Sequence, residues 1–196
     1  MRWIWIDRII ELERGRRSVA IKNVSLAEDV LHDHFPARRV KGESQAALPI
    51  MPNALIIEGM AQTAGILVGH ANDFVEKVIL AKIGKAIFHA AALPGYCLRY
   101  TATIERMDRN GASTRGVVDR IDPAAPSAQP RRLAEIELLF SHVDRNVSGI
   151  AFPEHNFVFT EQFMDLLRQS GFAEPRSTAA RSHTGKQFDH ATDALE

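Results

Sequence analysis

Cysteine is nearly absent from this chain, which has only Cys97 among its 196 residues. A single cysteine excludes an internal disulfide framework and a metal site built from several cysteines. Cys97 lies between Tyr96 and Leu98, in a run with the composition of a β-strand. We therefore expect its side chain to be packed in a sheet and not to serve as a nucleophile.

An excess of charge of either sign is also absent, because 24 lysines and arginines balance 24 aspartates and glutamates. A chain without net charge has no overall field that would attract nucleic acid or an anionic membrane. The N-terminal residues lack the apolar core of a signal peptide, and no run approaches the ~20 apolar residues that span a bilayer. We expect a cytoplasmic protein with no nucleic-acid partner and no membrane insertion.

Apolar residues are plentiful, at 45% of the chain, which is typical of a folded domain with a full core. Large apolar side chains become rare after residue 172. We predict a folded domain over residues 1–150 and a C-terminal extension over 151–172, which contains a short amphipathic helix with Thr160 as its N-cap. Residues 173–196 have the composition of a disordered tail.

The apolar pattern within the predicted domain indicates an α+β fold. One helix is predicted over residues 54–68, with Asn53 as its N-cap and Gly69 at its end. Residues 37–52 are expected to form a loop. Strands are predicted over residues 9–13, 18–24, 78–87, 96–107, 112–121 and 132–143. Because the helix is apolar around nearly its whole circumference, we expect an antiparallel sheet to wrap around it.

One ionisable residue, Glu58, stands inside this apolar helical run. An ionised carboxylate loses its hydration in apolar surroundings, which favour the protonated form of a carboxyl group. A protonated carboxyl group is what a general acid needs, and His34 upstream is the natural base near neutral pH. Each residue also has a structural interpretation, since His34 could be an ordinary loop histidine and Glu58 could belong to a buried structural pair.

Two strings of residues carry a resemblance to a known family. His34-Phe35-Pro36, followed by the sequence MPNALIIEGMAQ over residues 51–62, resembles the 3-hydroxyacyl-acyl-carrier-protein dehydratases of type II fatty acid synthesis, of the FabZ type. The likeness extends over about residues 1–145. It implies the hotdog fold, in which an antiparallel sheet wraps one long central helix. It also implies a homodimer, alone or within a trimer of dimers, whose active sites lie between subunits.

The resemblance also implies roles for individual residues. Such an enzyme removes water from a (3R)-hydroxyacyl thioester and leaves the trans-2-enoyl thioester. His34 would be the base that takes the C2 proton, and Glu58 the acid that protonates the departing hydroxyl. The backbone N–H of Asn53 would stabilise the thioester oxygen, and Gln62, one helical turn after Glu58, would orient its carboxyl group. Neither a cofactor nor a metal is expected.

The chain departs from the family pattern between its two strings. Asp33, Ala37 and Asn53 stand where the family usually has glycine, and Glu58 follows His34 by 24 positions, which implies about ten inserted residues between 37 and 50. The insertion carries three cations, Arg38, Arg39 and Lys41. They could dock an acyl carrier protein, which is acidic, or they could belong to an ordinary solvated loop.

Other interpretations remain open at the level of sequence. His32 and His34 could bind a metal, although no further ligands stand at a suitable spacing. Phe88 and Met60 could line an acyl tunnel or could simply pack in the core. The alternative functions are a hotdog hydratase or thioesterase, and a non-catalytic acyl-thioester-binding protein. Isomerase activity, as in FabA-type enzymes, is disfavoured because those enzymes carry aspartate at the position of Glu58.

Overall fold

The computed structural model of this protein describes residues 3–125, 127–143 and 156–172, apart from the side chain of Asp33. Eight strands and three helices form within these ranges. In chain order they are β1 (Arg8–Glu13), β2 (Arg17–Asn23), α1 (Asp29–Asp33), β3 (Arg38–Val40), β4 (Glu43–Gln45), α2 (Asn53–Ala71), β5 (Lys77–Phe88), β6 (Cys97–Asp108), β7 (Gly111–Ile121), β8 (Arg131–Val143) and α3 (Glu161–Gln169).

Six of the strands form one antiparallel sheet in the order β1-β2-β6-β7-β8-β5. Helix α2 packs against strands across the whole width of this sheet. Its residues Ile56, Met60, Ala64 and Leu67 are almost completely buried, at the spacing of one helical face. The predicted α+β fold, a sheet wrapped around one long helix, is confirmed.

The helix can approach the sheet closely because glycine occupies two contact positions. A Cβ atom at Gly59 would lie 2.7 Å from the Tyr100 ring, and a Cβ atom at Gly116 would lie 2.3 Å from the sulfur of Met60. Met60 therefore packs in the core, which was one of the two alternatives for it, the other being the lining of an acyl tunnel. Any larger residue at either glycine would push α2 away from the sheet.

The bounds of α2 differ from the prediction at both ends. Pro52 is the N-cap and Asn53 is the first helical residue, so the prediction of Asn53 as N-cap is wrong by one position. The helix also continues past Gly69 to Ala71, and Asp73 and Phe74 then adopt left-handed backbone conformations. Gly69 does not end the helix; its missing side chain leaves room for two aromatic rings, those of Phe74 and Phe159.

Two short elements were not predicted. The segment before His34 contains the one-turn helix α1, and the predicted loop over residues 37–52 contains the small hairpin β3–β4. Lys41 and Gly42 form its turn, with φ angles of 51° and 88°. Two left-handed residues in succession are typical of the tight turns that match the twist of a hairpin.

The described part of the C-terminal extension packs on the domain. Helix α3 forms where the sequence predicts it, after Thr160, and it contacts β1. Asn156 donates hydrogen bonds to the carbonyls of Phe74 and Glu76, and the hydroxyl of Ser170 accepts one from the N–H of Ile9. The predicted disordered tail over 173–196 lies outside the described residues.

Helix α2 has the length and apolar composition of a membrane span, and it is the only such helix in the described ranges. This differs from the expectation that no segment would approach that composition. However, 61% of its apolar window is buried inside the protein. A core helix enclosed by a sheet has the same composition for a different reason, because protein and not lipid surrounds it.

Candidate active site

The carboxyl group of Glu58 is held on one side only. Its Oε1 atom accepts hydrogen bonds from the Trp3 indole at 3.2 Å and from the Gln62 amide at 2.9 Å. Its Oε2 atom has no hydrogen-bond partner among the residues that the structure describes. Two donors fix the orientation of the carboxyl group while leaving one oxygen available to a ligand.

Glu58 is half-buried in the single chain and not enclosed as the sequence suggested. The sheet covers the opposite face of α2, and the face with Glu58 and Gln62 borders a cavity of about 230 Å³. Helix α2, strands β5 and β8 and the C-terminal extension contribute its walls. The lining residues are Glu58, Ala61, Gln62, Gly65, Ile66, Val78, Leu80, Phe140, Val158, Phe159 and Phe163.

Gln62 connects Glu58 to the N-terminal residues. Its amide nitrogen donates to Glu58 and also to the carbonyl of Trp3 at 3.0 Å, while its oxygen accepts from the N–H of Trp5 at 2.8 Å. The side chain is only 7% exposed, and both its amide nitrogen and its oxygen form hydrogen bonds. A buried amide with this many partners has one stable orientation, so it holds Glu58 Oε1 in place.

His34 lies at the C-terminal end of α1. Its ring packs edge to face on the Phe35 ring, with ring centroids 4.3 Å apart. Helix α1 is fixed by Leu31, which is 1% exposed, and by an ion pair between Glu28 and the buried Lys22 just before it. His34 is exposed and borders a second cavity of about 460 Å³. The other lining residues are Phe35, Pro36, Arg38, Gln45, Ala46, Ala47 and Leu48.

The two ends of the inserted segment between His34 and α2 lie close together. The N–H of Leu48 donates to the carbonyl of Phe35 at 3.0 Å, which closes the base of the inserted segment. The N–H of Met51 then donates to the carbonyl of Ala92 at 2.9 Å and fixes the approach to α2. The hairpin β3–β4 therefore lies between two residues, Phe35 and Leu48, that are hydrogen-bonded to each other.

The cavities of His34 and Glu58 have no lining residue in common. In the described part of a single chain, the two residues thus line separate cavities. Asn53 is exposed at the first position of α2, and its backbone N–H has no acceptor within the described part of the chain. Unpaired N–H groups and the positive end of the helix dipole make this position suitable for a developing negative charge.

The three cations of the insertion all lie exposed on the hairpin. Arg38 borders the His34 cavity and its Nε donates to the Gln45 side chain at 3.0 Å. The Nε of Arg39 lies 3.4 Å from the carbonyl of Gly42, its hydrogen-bond acceptor. Of the three cations, Arg38 alone lines the cavity beside His34.

Some positions at the candidate site were not apparent from the sequence. Trp3 contacts Glu58 directly, and Phe159 and Phe163 line its cavity from a segment about a hundred residues away. The paired tryptophans near the N-terminus were the available signal for the first of these contacts. Phe88 does not line the Glu58 cavity. Burial raises the pKa of the Cys97 thiol, as expected of a packed strand residue.

The fold and the site together define the class of protein. An antiparallel sheet wrapped around a central helix is the hotdog fold. A dehydratase heterocomplex, ApeI:P, from Xenorhabdus doucetiae aligns over 72% of this chain and 84% of its own, with a TM-score of 0.52 and 16% identity. The protein smu.793 from Streptococcus mutans, solved with acetyl CoA, aligns over 69% and 87%, with a TM-score of 0.51 and 9% identity. At these identities the similarity shows the fold alone.

The sequence comparisons identify the family. The chain belongs to the FabA-like domain family, whose model matches residues 3–120. A 3-hydroxyacyl-acyl-carrier-protein dehydratase FabZ from Caldanaerobacter subterraneus is 35% identical over 128 residues, which are 65% of this chain and 84% of the relative. A FabZ dehydratase from Pelotomaculum thermopropionicum is 34% identical over 140 residues, which are 71% and 87% of the two chains. The family resemblance seen in residues 34–62 is confirmed.

Proposed function

We propose that this protein is a 3-hydroxyacyl-acyl-carrier-protein dehydratase, a hydro-lyase of fatty acid biosynthesis or a related acyl-chain pathway. Its substrate is a (3R)-3-hydroxyacyl thioester and its product the trans-2-enoyl thioester. The observation that carries this proposal is Glu58, which the Gln62 amide orients toward an apolar cavity in a chain of the FabA-like family.

The proposed chemistry follows from the atoms at the site. The thioester carbonyl acidifies the C2 proton, which the His34 imidazole removes as general base. Glu58 gives a proton from its free Oε2 atom to the departing hydroxyl, while Oε1 stays fixed by Trp3 and Gln62. The backbone N–H of Asn53 stabilises the negative charge that develops on the thioester oxygen.

The complete site requires a second copy of the chain. His34 and Glu58 border different cavities, so the partner's His34 must face Glu58 for the two to act on one substrate. The sheet edge at β5 supports this proposal, because Ile83 and Ile87 are 45% and 40% exposed there. Exposed apolar residues on an open edge strand favour pairing with another strand. Whether such homodimers assemble further into a trimer of dimers stays a prediction, as does the cytoplasmic location.

The carrier of the acyl chain is proposed to dock on the hairpin β3–β4. Arg38 borders the His34 cavity, Arg39 and Lys41 are exposed on the same hairpin, and the three cations would attract an acidic acyl carrier protein. The phosphopantetheine arm of the carrier would then reach His34. The alternative, a solvated loop without this role, predicts no difference between carrier-bound and free thioesters.

The proposal is tested by following enoyl thioester formation by absorbance with the wild type, His34→Ala and Glu58→Gln. Each substitution should lower kcat by about 10²- to 10⁴-fold, the usual contribution of one acid or base. The matched controls are His32→Ala, a neighbouring exposed histidine, and Glu105→Gln, an exposed strand glutamate. Both should retain activity. Full activity in either site variant would contradict the mechanism.

The same preparations separate the alternative functions. A thioesterase releases free thiol from the substrate, whereas dehydration leaves the thioester intact. A non-catalytic acyl-binding protein would bind the thioester without converting it, and His34→Ala would then change binding only. Thiol release without enoyl formation by the wild type would therefore replace the proposed reaction with hydrolysis.

A further inference from the structure

The Glu58 cavity follows the axis of α2 away from the carboxyl group. Its helical lining residues Glu58, Ala61, Gln62, Gly65 and Ile66 recur at intervals of three and four and so share one face. From Glu58 to Ile66 the helix rises about 12 Å at 1.5 Å per residue. Beyond Glu58 and Gln62 the lining is apolar. The cavity therefore has a polar end at the carboxyl group and an apolar remainder.

The C-terminal extension supplies one wall of this cavity. Val158, Phe159 and Phe163 line it, and the Phe159 ring also lies against Gly69. A Cβ atom at Gly69 would be 2.3 Å from Cζ of Phe159, so the ring occupies the space that a side chain would need. Gly69 is about 16 Å along the helix from Glu58, which places Phe159 at the far end of the cavity.

This wall is held firmly at both ends. Asn156 binds two carbonyls at the turn after α2, and its own side-chain oxygen accepts the N–H groups of Val158 and Phe159. At the other end the Ser170 hydroxyl accepts a hydrogen bond from the N–H of Ile9 in β1. Leu166 and Leu167, which belong to α3, are buried. Phe159 also packs edge to face on Phe74, with ring centroids 4.9 Å apart. A wall with these anchors resists displacement by a longer ligand.

We propose that residues 156–172 form the end wall of an acyl-chain cavity, and that Phe159 and Phe163 set the longest acyl chain that the protein accepts. The inference rests on the proposed function and adds a specificity element to it. The family match ends at residue 120, so this wall is outside the matched domain. The cavity, at about 230 Å³, is smaller than the ~300–1,000 Å³ usual for ligand pockets. We therefore expect a cavity of this size to favour short acyl chains.

The test compares kcat/KM for 3-hydroxybutyryl and 3-hydroxydecanoyl thioesters in Phe159→Ala and Phe163→Ala. Removing either ring should raise the ratio of long-chain to short-chain kcat/KM at least ~10-fold, the usual discrimination of a hydrophobic pocket for even one methylene. Gly65→Leu should lower the same ratio. A Cβ atom at Gly65 would meet the Phe140 ring at an ordinary 3.7 Å, so the first carbon of the new side chain is accommodated and the rest would occupy cavity space.

The matched control is Leu166→Ala, which removes buried apolar contact from the same helix but does not line the cavity. It should lower the melting temperature as the phenylalanine variants do and leave the chain-length ratio unchanged. An unchanged ratio in folded Phe159→Ala, Phe163→Ala and Gly65→Leu would overturn the inference while dehydration by the wild type stands. A wild type that converts no chain would instead reject the proposed function, and binding of butyryl- and decanoyl-pantetheine to the same variants would still test the wall.

Discussion

At the scale of single residues, the amide of Gln62 has more partners than the carboxyl group it orients. It donates to Glu58 and to the carbonyl of Trp3, and it accepts from the N–H of Trp5. One side chain therefore joins the N-terminal residues to helix α2. Its loss should affect both folding and the position of Glu58, and these two effects can be measured separately.

Replacing Gln62 by methionine keeps the length of the side chain and removes all three hydrogen bonds. A buried backbone N–H left without a partner costs about 1–3 kcal/mol, so chemical denaturation should show a loss of this size. Because Glu58 would lose one of its two donors, we also expect kcat to fall by up to about 10²-fold. The pH profile of kcat should change as well, since the contacts of the acid change.

The control for this variant is Thr63→Val. Thr63 is the next residue, is fully buried and donates to the carbonyl of Gly59 at 2.8 Å, but it does not contact Glu58. It should lose stability and keep its kcat and pH profile. If Gln62→Met loses stability alone and retains the wild-type profile, Gln62 has a structural role and does not position the acid.

At the scale of elements, the sequence pattern predicted those parts of the fold that depend on neighbouring residues and not on long-range contacts. Helix α2 was found from its long apolar run, and the four long strands from local runs of apolar residues, some of them alternating, bounded by turn signals. The end of α2 was missed because the role of Gly69 depends on Phe159, which comes 90 residues later. Glu58 and Gln62 are one turn apart and could be paired from sequence, whereas the contact from Trp3 joins residues 55 positions apart and depends on the tertiary fold.

The hairpin β3–β4 shows a similar limit, since its strands are short and fully exposed. No buried face imposes an alternating pattern on them, and only the left-handed turn at Lys41 and Gly42 marks the element. Such a projection gains little from packing. Its exposed charges are then the feature of the hairpin that could contact a partner.

Charge reversal at Arg38 and Arg39 tests the docking role of this hairpin. The double variant with glutamate should lower kcat/KM for carrier-bound substrate about 10- to 10²-fold, because the approach of an acidic carrier would be opposed. Activity on the pantetheine thioester should change far less, and the loss should shrink at high salt. Arg106, near the end of β6, and Arg109, in the turn that follows it, are both exposed and allow a control reversal of equal charge. Equal losses on both substrates would contradict docking.

At the scale of the whole molecule, the two edges of the sheet differ. Helix α3 contacts β1 at one edge, while β5 at the other edge exposes Ile83 and Ile87, with Leu139 of the neighbouring strand 43% exposed. Covering an edge with a helix is a common way to prevent unwanted pairing. No helix among the described residues covers the β5 edge, so a second copy is expected there, and a charge at Ile87 should prevent its association.

A shared site has a consequence that separate sites do not have. If His34 and Glu58 act across a dimer interface, a heterodimer of His34→Ala and Glu58→Gln contains one site with both substitutions and one site with neither. Random pairing yields heterodimers for half of the molecules, so a mixture refolded or expressed together should recover about a quarter of the wild-type activity. Each variant alone should be almost inactive. If both residues acted within one chain, no mixture would exceed the activity of the separate variants, and the intersubunit site would be wrong.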